Sequence, residues 1–335
     1  MRTFQAFPYH WTIHPHEDEL RRLLRENHAV GLRYSTAIDA PVGCLSYHAI
    51  LEQPEYDLGS VGKWARKNIR RGLRNCTVEP ISFELLAGDG WVLQRDTLDR
   101  QGRGLKRDRE EWQRLCLSAG DLPGFEAWGA LLRGRLAASV ITFRMQDCCY
   151  LLYQQCERDY LAAHVNNALS FVVTQNMVQR PHVRSIFYGL HSLDAPTTVD
   201  EFKFRMGYVP KPVRQRVFFR PVLSPFFNPI THALVRAAKA MRPSSPVLAK
   251  TEGMIRFYLE GGLLQSNQLA PRFSNSKEHP AETKEMTELG VTEHKHKTAR
   301  RTPAVLGAKT LRMQIDDQHR SGVVSPIPSR QHRRR

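Results

Sequence analysis

The chain has no apolar run near the roughly 18 residues that a membrane-spanning helix requires. Its opening residues place Glu17, Asp18 and Glu19 where a secretory leader would be apolar. The expectation is a chain that neither spans a membrane nor carries a signal peptide. Its six cysteines (Cys44, Cys76, Cys116, Cys148, Cys149 and Cys156) include no C-x-x-C pair and no zinc spacing. Buried reduced thiols and a cytoplasmic location are therefore expected. His14 with His16, and His294 with His296, lack a third ligand at a recognisable spacing, so they read as surface histidines and no metal is expected. There is no G-x-S-x-G, no Walker loop, no Cys-His motif and no internal repeat, which leaves covalent and phosphoryl-transfer mechanisms without a carrier. Beyond Gln265 aromatic residues almost vanish, Phe273 excepted, and Ser, Pro, Lys, Glu and Arg dominate. Such a segment buries too little apolar area to offset its ordering entropy, so residues 266–335 are expected to be a disordered basic tail.

Positive charge is plentiful. The formal net charge is +16, and the tail's 14 Lys and Arg against 7 Asp and Glu carry +7 of it, leaving +9 for the rest. The folded part is thus moderately basic, with a general attraction to polyanions.

From 127 to 219 the apolar pattern predicts a meander, a helix, a strand, a helix and a last strand. Ala127 to Leu132, Leu136 to Arg144 and Cys148 to Gln155 are strand-like runs separated by Arg133-Gly134 and Met145-Gln146-Asp147. Asn166 or Asn167 can cap a helix that carries Leu169, Val172, Val173 and Met177 on one face and stops at Arg180-Pro181. Ser185 to Leu190 reads as a short buried strand. Thr198 with Glu201 has the capping-box spacing for a helix that Gly207 would end, and Arg214 to Phe219 reads as the closing strand. Upstream, Lys63 to Cys76 is a basic helix whose Lys67, Arg70, Arg71 and Arg74 gather on one side. Thr77 to Leu86 reads as a strand, with helices near Gly90 to Arg100 and Glu110 to Ala119. Before it, a polar helix from Glu17 to Asn27 and strand-like Val30 to Tyr34 and Gly43 to Leu51 suggest a partial layer against the main sheet. After Pro221 one amphipathic helix, Ile230 to Met241, sets Arg236, Lys239 and Arg242 opposite Leu234, Val235 and Ala238; a second candidate runs from Lys250 to Leu264. The first reads as packing on the domain, with an anionic membrane surface as the alternative.

This order, with HVNNALSF, IFYGL, EFKFRMGY and KWARKNIRRGLRNC, resembles the acyltransferase domain of the GNAT superfamily over about Leu58 to Pro221. It is most similar to the branch holding the Fem peptidoglycan-bridge aminoacyltransferases and FemAB-like acetyltransferases of envelope and exopolysaccharide clusters. The resemblance implies an α/β (α+β) fold with a mixed, mainly antiparallel central sheet flanked by helices. It divides the chain into an N-terminal extension (1–57), the acyltransferase domain (58–221), a helical extension (222–265) and the tail. One departure concerns the donor: the glycine-bearing loop that receives a pyrophosphate in acetyl-CoA-using members is replaced by Glu157 to His164, which contains no glycine.

By the same resemblance, the strands containing Tyr153 and Gln154 on one side and Tyr188 and Gly189 on the other splay to admit an acyl donor as an added strand. Asn166 and Asn167 at the helix N-terminus complete the donor-binding candidates. Lys203 matches the lysine of a Phe-Lys pair thought to stabilise the transition state. His164, before the helix, is the candidate general base. Lys67, Arg70 and Arg71 are the acceptor-binding candidates. The expected co-substrate is acyl-CoA, with direct attack by an amine or hydroxyl of an envelope or polysaccharide-related acceptor. The alternatives are an aminoacyl-tRNA-dependent transferase and an inactive basic binding module, and peripheral contact with the inner membrane face is a further partner expectation.

Overall fold

The computed structural model describes residues 2–102, 108–193, 197–243, 245–264 and 267–268. The expected tail lies outside them apart from Gln268 and Asn267, and so does the Thr198 side chain of the expected capping box. The elements in chain order are β1 (Arg2–Gln5), α1 (Glu17–Glu26), β2 (Ala29–Thr36), β3 (Cys44–Leu51), α2 (Lys63–Asn75), β4 (Thr77–Ile81), α3 (Phe83–Gly88), α4 (Gly90–Arg100) and α5 (Arg109–Gly120). They continue as β5 (Phe125–Leu132), β6 (Arg135–Met145), β7 (Cys148–Cys156), α6 (Val165–Val178), β8 (Ser185–Leu190), α7 (Thr197–Arg205), β9 (Val209–Phe219), α8 (Pro229–Met241) and α9 (Pro246–Gly261).

Tight turns set the meander's register. Arg133 (φ 52°) and Gly134 (φ 77°) both take positive φ between β5 and β6, the geometry that matches the right-handed twist of paired strands. One sheet of nine strands results, in the order β1-β2-β9-β3-β8-β7-β6-β5-β4. Its neighbours are antiparallel except β1 with β2 and β7 with β8. Because β7 and β8 are parallel they need a crossover, and α6 supplies it. The fold is α/β, a mixed, mainly antiparallel sheet flanked by helices, as the resemblance implied.

Alternation along the meander places the core on both faces. Trp128, Ala130, Ala138 and Val140 pack with Ala65 and Ile69 of α2 and with Val165, Ala168 and Leu169 of α6. Ala127 and Ile141, one residue out of phase, pack with Leu86, Trp112 and Cys116 of α3 and α5 on the other side. Each fully buried aliphatic side chain, such as Ile69 or Leu169, contributes about 1.5–3 kcal/mol relative to exposure. All six cysteines are buried. The α2–α6 crossing depends on Gly72, where a Cβ would stand 2.5 Å from the His164 carbonyl oxygen and 2.9 Å from Ala168 Cβ.

Four expectations change. The strand begun at Thr77 ends at Ile81, because Ser82 Oγ accepts a hydrogen bond from the Leu85 amide (3.1 Å) and starts α3. Residues 1–57, expected as a layer packing on the domain, contribute three strands of the sheet itself, and β3 lies between β8 and β9. The helix expected to be capped by Asn166 or Asn167 starts one turn edge earlier: His164, at φ 59°, is the N-cap and makes no side-chain cap bond. Gln268, beyond the boundary expected at Gln265, is held by β3 and β9, its amide oxygen accepting from the Leu45 amide (2.8 Å) and from Arg214 (3.1 Å).

Candidate functional site

The β7–β8 ladder holds for three pairs only, Cys148 with Ser185, Cys149 with Ile186 and Tyr150 with Phe187. Beyond them the strands part, although both continue, β7 to Cys156 and β8 to Leu190. Two features separate them. On its other side β7 carries a bulge: the register passes from Ile141 with Leu152 to Ser139 with Gln155, so Tyr153 and Gln154 stand opposite Val140 alone, with Tyr153 at φ 47°. On the far side of the gap β8 turns its own register to β3, with a shift between Ala49 and Ile50. A parallel pair that opens in this way leaves a cleft lined by backbone groups that an extended ligand can pair with.

Side chains span the opening. The Tyr188 hydroxyl donates to Gln154 Oε1, and Gln154 Nε2 donates to Asn166 Oδ1 at 3.2 Å. The chain thus runs from β8 across the gap to β7 and on to the first turn of α6. Burial raises the Tyr188 pKa above its ordinary value, so its phenol is protonated and acts as a donor here.

Next to Tyr188, the Cβ that Gly189 lacks would meet only Lys203 Nζ, at 3.4 Å. Lys203 is on α7, 7% exposed, with its ammonium 5.6 Å from the Tyr188 ring centroid. It is not a lone cation. Asp200, one turn earlier on α7, accepts from Lys203 Nζ at 2.6 Å through one carboxylate oxygen and from the Tyr47 hydroxyl at 2.7 Å through the other. Tyr47 stacks on His191 with ring centroids 4.6 Å apart, and Ser46 Oγ lies 3.2 Å from His191 Nδ1. Burial, reinforced by the Arg33 guanidinium, lowers the His191 pKa to about 4, so the imidazole is neutral at neutral pH. The end of the cleft therefore holds an ammonium, a carboxylate, a phenol and a neutral imidazole on three elements, β3, the end of β8 and α7.

At the head of α6 the glycine-free loop Glu157 to His164 is a 3-10 turn over Arg158–Ala163. Its Tyr160 and His164 amides bond inward, to Glu157 O (3.2 Å) and Leu161 O (3.0 Å), and the Arg158 amide donates to Asp96 (2.8 Å). These three N–H groups are not available to a phosphate. What faces solvent nearby is cationic: Lys67, Arg70, Arg71 and Arg74 are exposed on α2 and form no ion pair among the described residues. His164 is beside this helix, its pKa lowered first by burial and then by Arg71.

The structure brings together Gln154, Asn166, Tyr188, Gly189 and Lys203. It turns Tyr153 the other way, edge-on to Trp112 (6.2 Å) in the cluster under α3–α5, because the bulge reverses its side-chain direction. Asn167 is buried, its amide 3.8 Å from Met206 Sδ, and points into the α6–α7 packing. His164 stands with the cations of α2. Sequence reasoning missed Tyr47, Asp200 and His191. Asp200 carried a signal, its i,i+3 spacing to Lys203; Tyr47 and His191 carried none, since only the sheet order joins β3 to β8.

No family model matches this chain, and no curated protein does. Its similarities are to solved structures. FemX shares 11% identity over 62% of this chain and 77% of its own, with a TM-score of 0.47. The C-terminal domain (DUF2156) of a putative lysylphosphatidylglycerol synthetase from Agrobacterium fabrum shares 11% identity over 66% and 75%, with a TM-score of 0.43. A tandem GNAT protein from the clavulanic acid biosynthesis pathway shares 12% over 59% and 66%, with a TM-score of 0.37. These are similarities of outline, and the fold assignment rests on the sheet order. Among the described residues no helix is long and apolar enough to cross a membrane.

Proposed function

We propose that the chain is an acyltransferase that takes an acyl group from acyl-CoA and passes it to an amine or hydroxyl of an envelope or polysaccharide-related acceptor by direct attack. The observation that carries the reading is the parting of β7 from β8 after the third pair, with Lys203 beside the open end. The donor's acyl arm lies in the gap. Its carbonyl takes the field and an N–H of Lys203, as oxyanion charge develops in a site poor in water. Neutral His191 accepts the proton of the attacking amine or hydroxyl, while Asp200 and Tyr47 hold Lys203 in place. The new C–N or C–O bond forms as the C–S bond breaks, and the departing sulfur takes the proton from His191 and leaves as a thiol.

A second reading, an aminoacyl ester of tRNA as donor, is favoured by one observation. The loop that would cradle a pyrophosphate has turned its amides inward, whereas α2 offers exposed cations suited to a long polyanion. Labelled acyl-CoA and labelled aminoacyl-tRNA, each supplied with a panel of amines and sugars, separate the two. Transfer from acyl-CoA and not from aminoacyl-tRNA supports the first; transfer from aminoacyl-tRNA alone establishes the second. Absence of transfer from either overturns the enzymatic reading and leaves a basic binding module.

A further inference from the structure

The α8 helix packs on α9 with one side only. Val235 and Ala238 are half-buried there, and His232 and Lys239 reach Glu252 of α9 at 3.0 and 3.2 Å. The opposite side is bare: Phe226, just before the helix, is 65% exposed, Ile230 73%, Leu234 65% and Met241 79%. Ile230, Leu234 and Met241 fall at i, i+4 and i+11 with Ala233 and Ala237 between them, which makes a single apolar stripe. The helix thus confirms the expected packing and keeps an apolar face of its own, with Val235 and Ala238 inside rather than on that face.

The charge around the stripe identifies its occupant. No Asp or Glu occurs between Glu201 and Glu252. Arg220, Arg236 and Arg242 form no ion pair among the described residues. A second copy of the chain would bring the same uncompensated cations together across an isologous contact. The chain's own residues 266–335 are themselves net +7. A nucleic acid would satisfy the arginines and leave Ile230, Leu234 and Met241 against phosphates and water. An anionic bilayer surface satisfies both, with the apolar ridge in the acyl boundary and the arginines at the headgroups. We propose that the outer face of α8 docks this protein on an anionic membrane surface, a role independent of the reaction proposed for the cleft.

The test is co-sedimentation of the full chain with vesicles containing phosphatidylglycerol and with pure phosphatidylcholine vesicles. Binding to the first and little to the second is expected. Ile230→Ser with Leu234→Ser, which alters no charge, should weaken it at least about tenfold, and Arg236→Ser about fivefold. Both sites are exposed, so the melting temperature should stay that of the parent. A polarity-sensitive probe on Leu234→Cys, specific because the native cysteines are buried, should shift to the apolar state on anionic vesicles. Unaltered affinity in the serine pair, a silent probe, or equal binding to phosphatidylcholine overturns the proposal. So does a lipid-independent dimer that the serine pair converts to monomer, which would assign the face to a second copy.

Discussion

Replacing Lys203 by alanine will cost both stability and turnover, and the two losses can be separated. Lys203 and Asp200 are 7% and 6% exposed and 2.6 Å apart. Without the ammonium, the Asp200 carboxylate stays buried with the Tyr47 hydroxyl as its hydrogen-bond partner at 2.7 Å. Removing one member of a buried pair destabilises by about 3–5 kcal/mol, because the other charge is left uncompensated. For a domain of this size that corresponds to a fall in Tm of the order of ten degrees. Lost turnover in Lys203→Ala therefore says little by itself. The informative variant is Lys203→Gln with Asp200→Asn, which removes both charges and keeps a hydrogen bond between the side chains. It should recover most of the lost Tm in calorimetry, while kcat for acyl transfer at saturating donor stays down by roughly 10² to 10³, the usual loss when a donor aimed at an oxyanion is removed. Arg205→Ala is the control: Arg205 pairs with Glu201 at 3.0 Å and lies over the Trp64 ring, on a half-exposed surface where such a pair is worth about 0–1 kcal/mol. If the double variant is folded and turns over like the parent, Lys203 stabilises no oxyanion and its role is confined to holding α7.

Gly189→Trp should fill the cleft beside Lys203 and weaken donor binding; because side chains rarely adopt the φ of 159° found here, Gly189→Ala, with the same backbone strain and little added bulk, is the control, and donor affinity equal to that control's in a titration would place the cleft elsewhere. Gly72→Ala should destabilise by about 1–3 kcal/mol, because the obstacle is the His164 carbonyl rather than a side chain that can move, and an unchanged denaturation midpoint would contradict the α2–α6 crossing. The buried His48, held by Ser35 Oγ at 2.7 Å, has its pKa lowered to about 3 by burial first. Since the folded value lies below the unfolded one of about 6.5, the unfolded chain binds the proton more readily; His48 contributes its stability above that pH and loses about 1.4 kcal/mol per pH unit as pH falls from about 6.5 toward 3. His48→Asn, which keeps a donor, should flatten the acid limb of a Tm-versus-pH curve, and a superimposable curve would count against that assignment.

The elements that were legible in the sequence are those whose signal is local. The meander announced itself through two short turns, α7's end through Gly207 (φ 89°), and α2 through its charge stripe. The central helix α6 was readable by its stop, yet its face was not, because Ala168, Ser170, Phe171 and Thr174 are buried as well as Leu169, Val173 and Met177. A helix enclosed on most sides has little amphipathic pattern to read. The long-range pairing of β3 with β8 and β9 had no local signature, and so the extension expected at 1–57 concealed Tyr47 and its place in the candidate site. Lys203 was singled out by resemblance, and its surroundings come from that hidden pairing and from Asp200.

The same logic explains how this chain can do without glycine between Glu157 and His164. A glycine loop is needed where backbone must approach a phosphate closely with its N–H groups outward. Here the backbone turns inward as a 3-10 segment, anchored by Asp96 to the Arg158 amide and by Asn75 Nδ2 to the Ala163 carbonyl at 3.1 Å. With the amides used internally, positive charge must come from side chains, and α2 crosses α6 closely enough, through Gly72, to bring Arg71 within electrostatic reach of His164. Under the proposed reading, anion binding falls to arginine and lysine rather than to backbone. That exchange gives up a fixed cradle matched to one pyrophosphate and gains a broader, salt-sensitive surface. Salt dependence of donor binding is accordingly the physical signature of this end of the site: replacing Arg70 and Arg71 by Gln should lower donor affinity most at low ionic strength, and an effect that is the same at every salt concentration would mean that the phosphates are held by something other than α2.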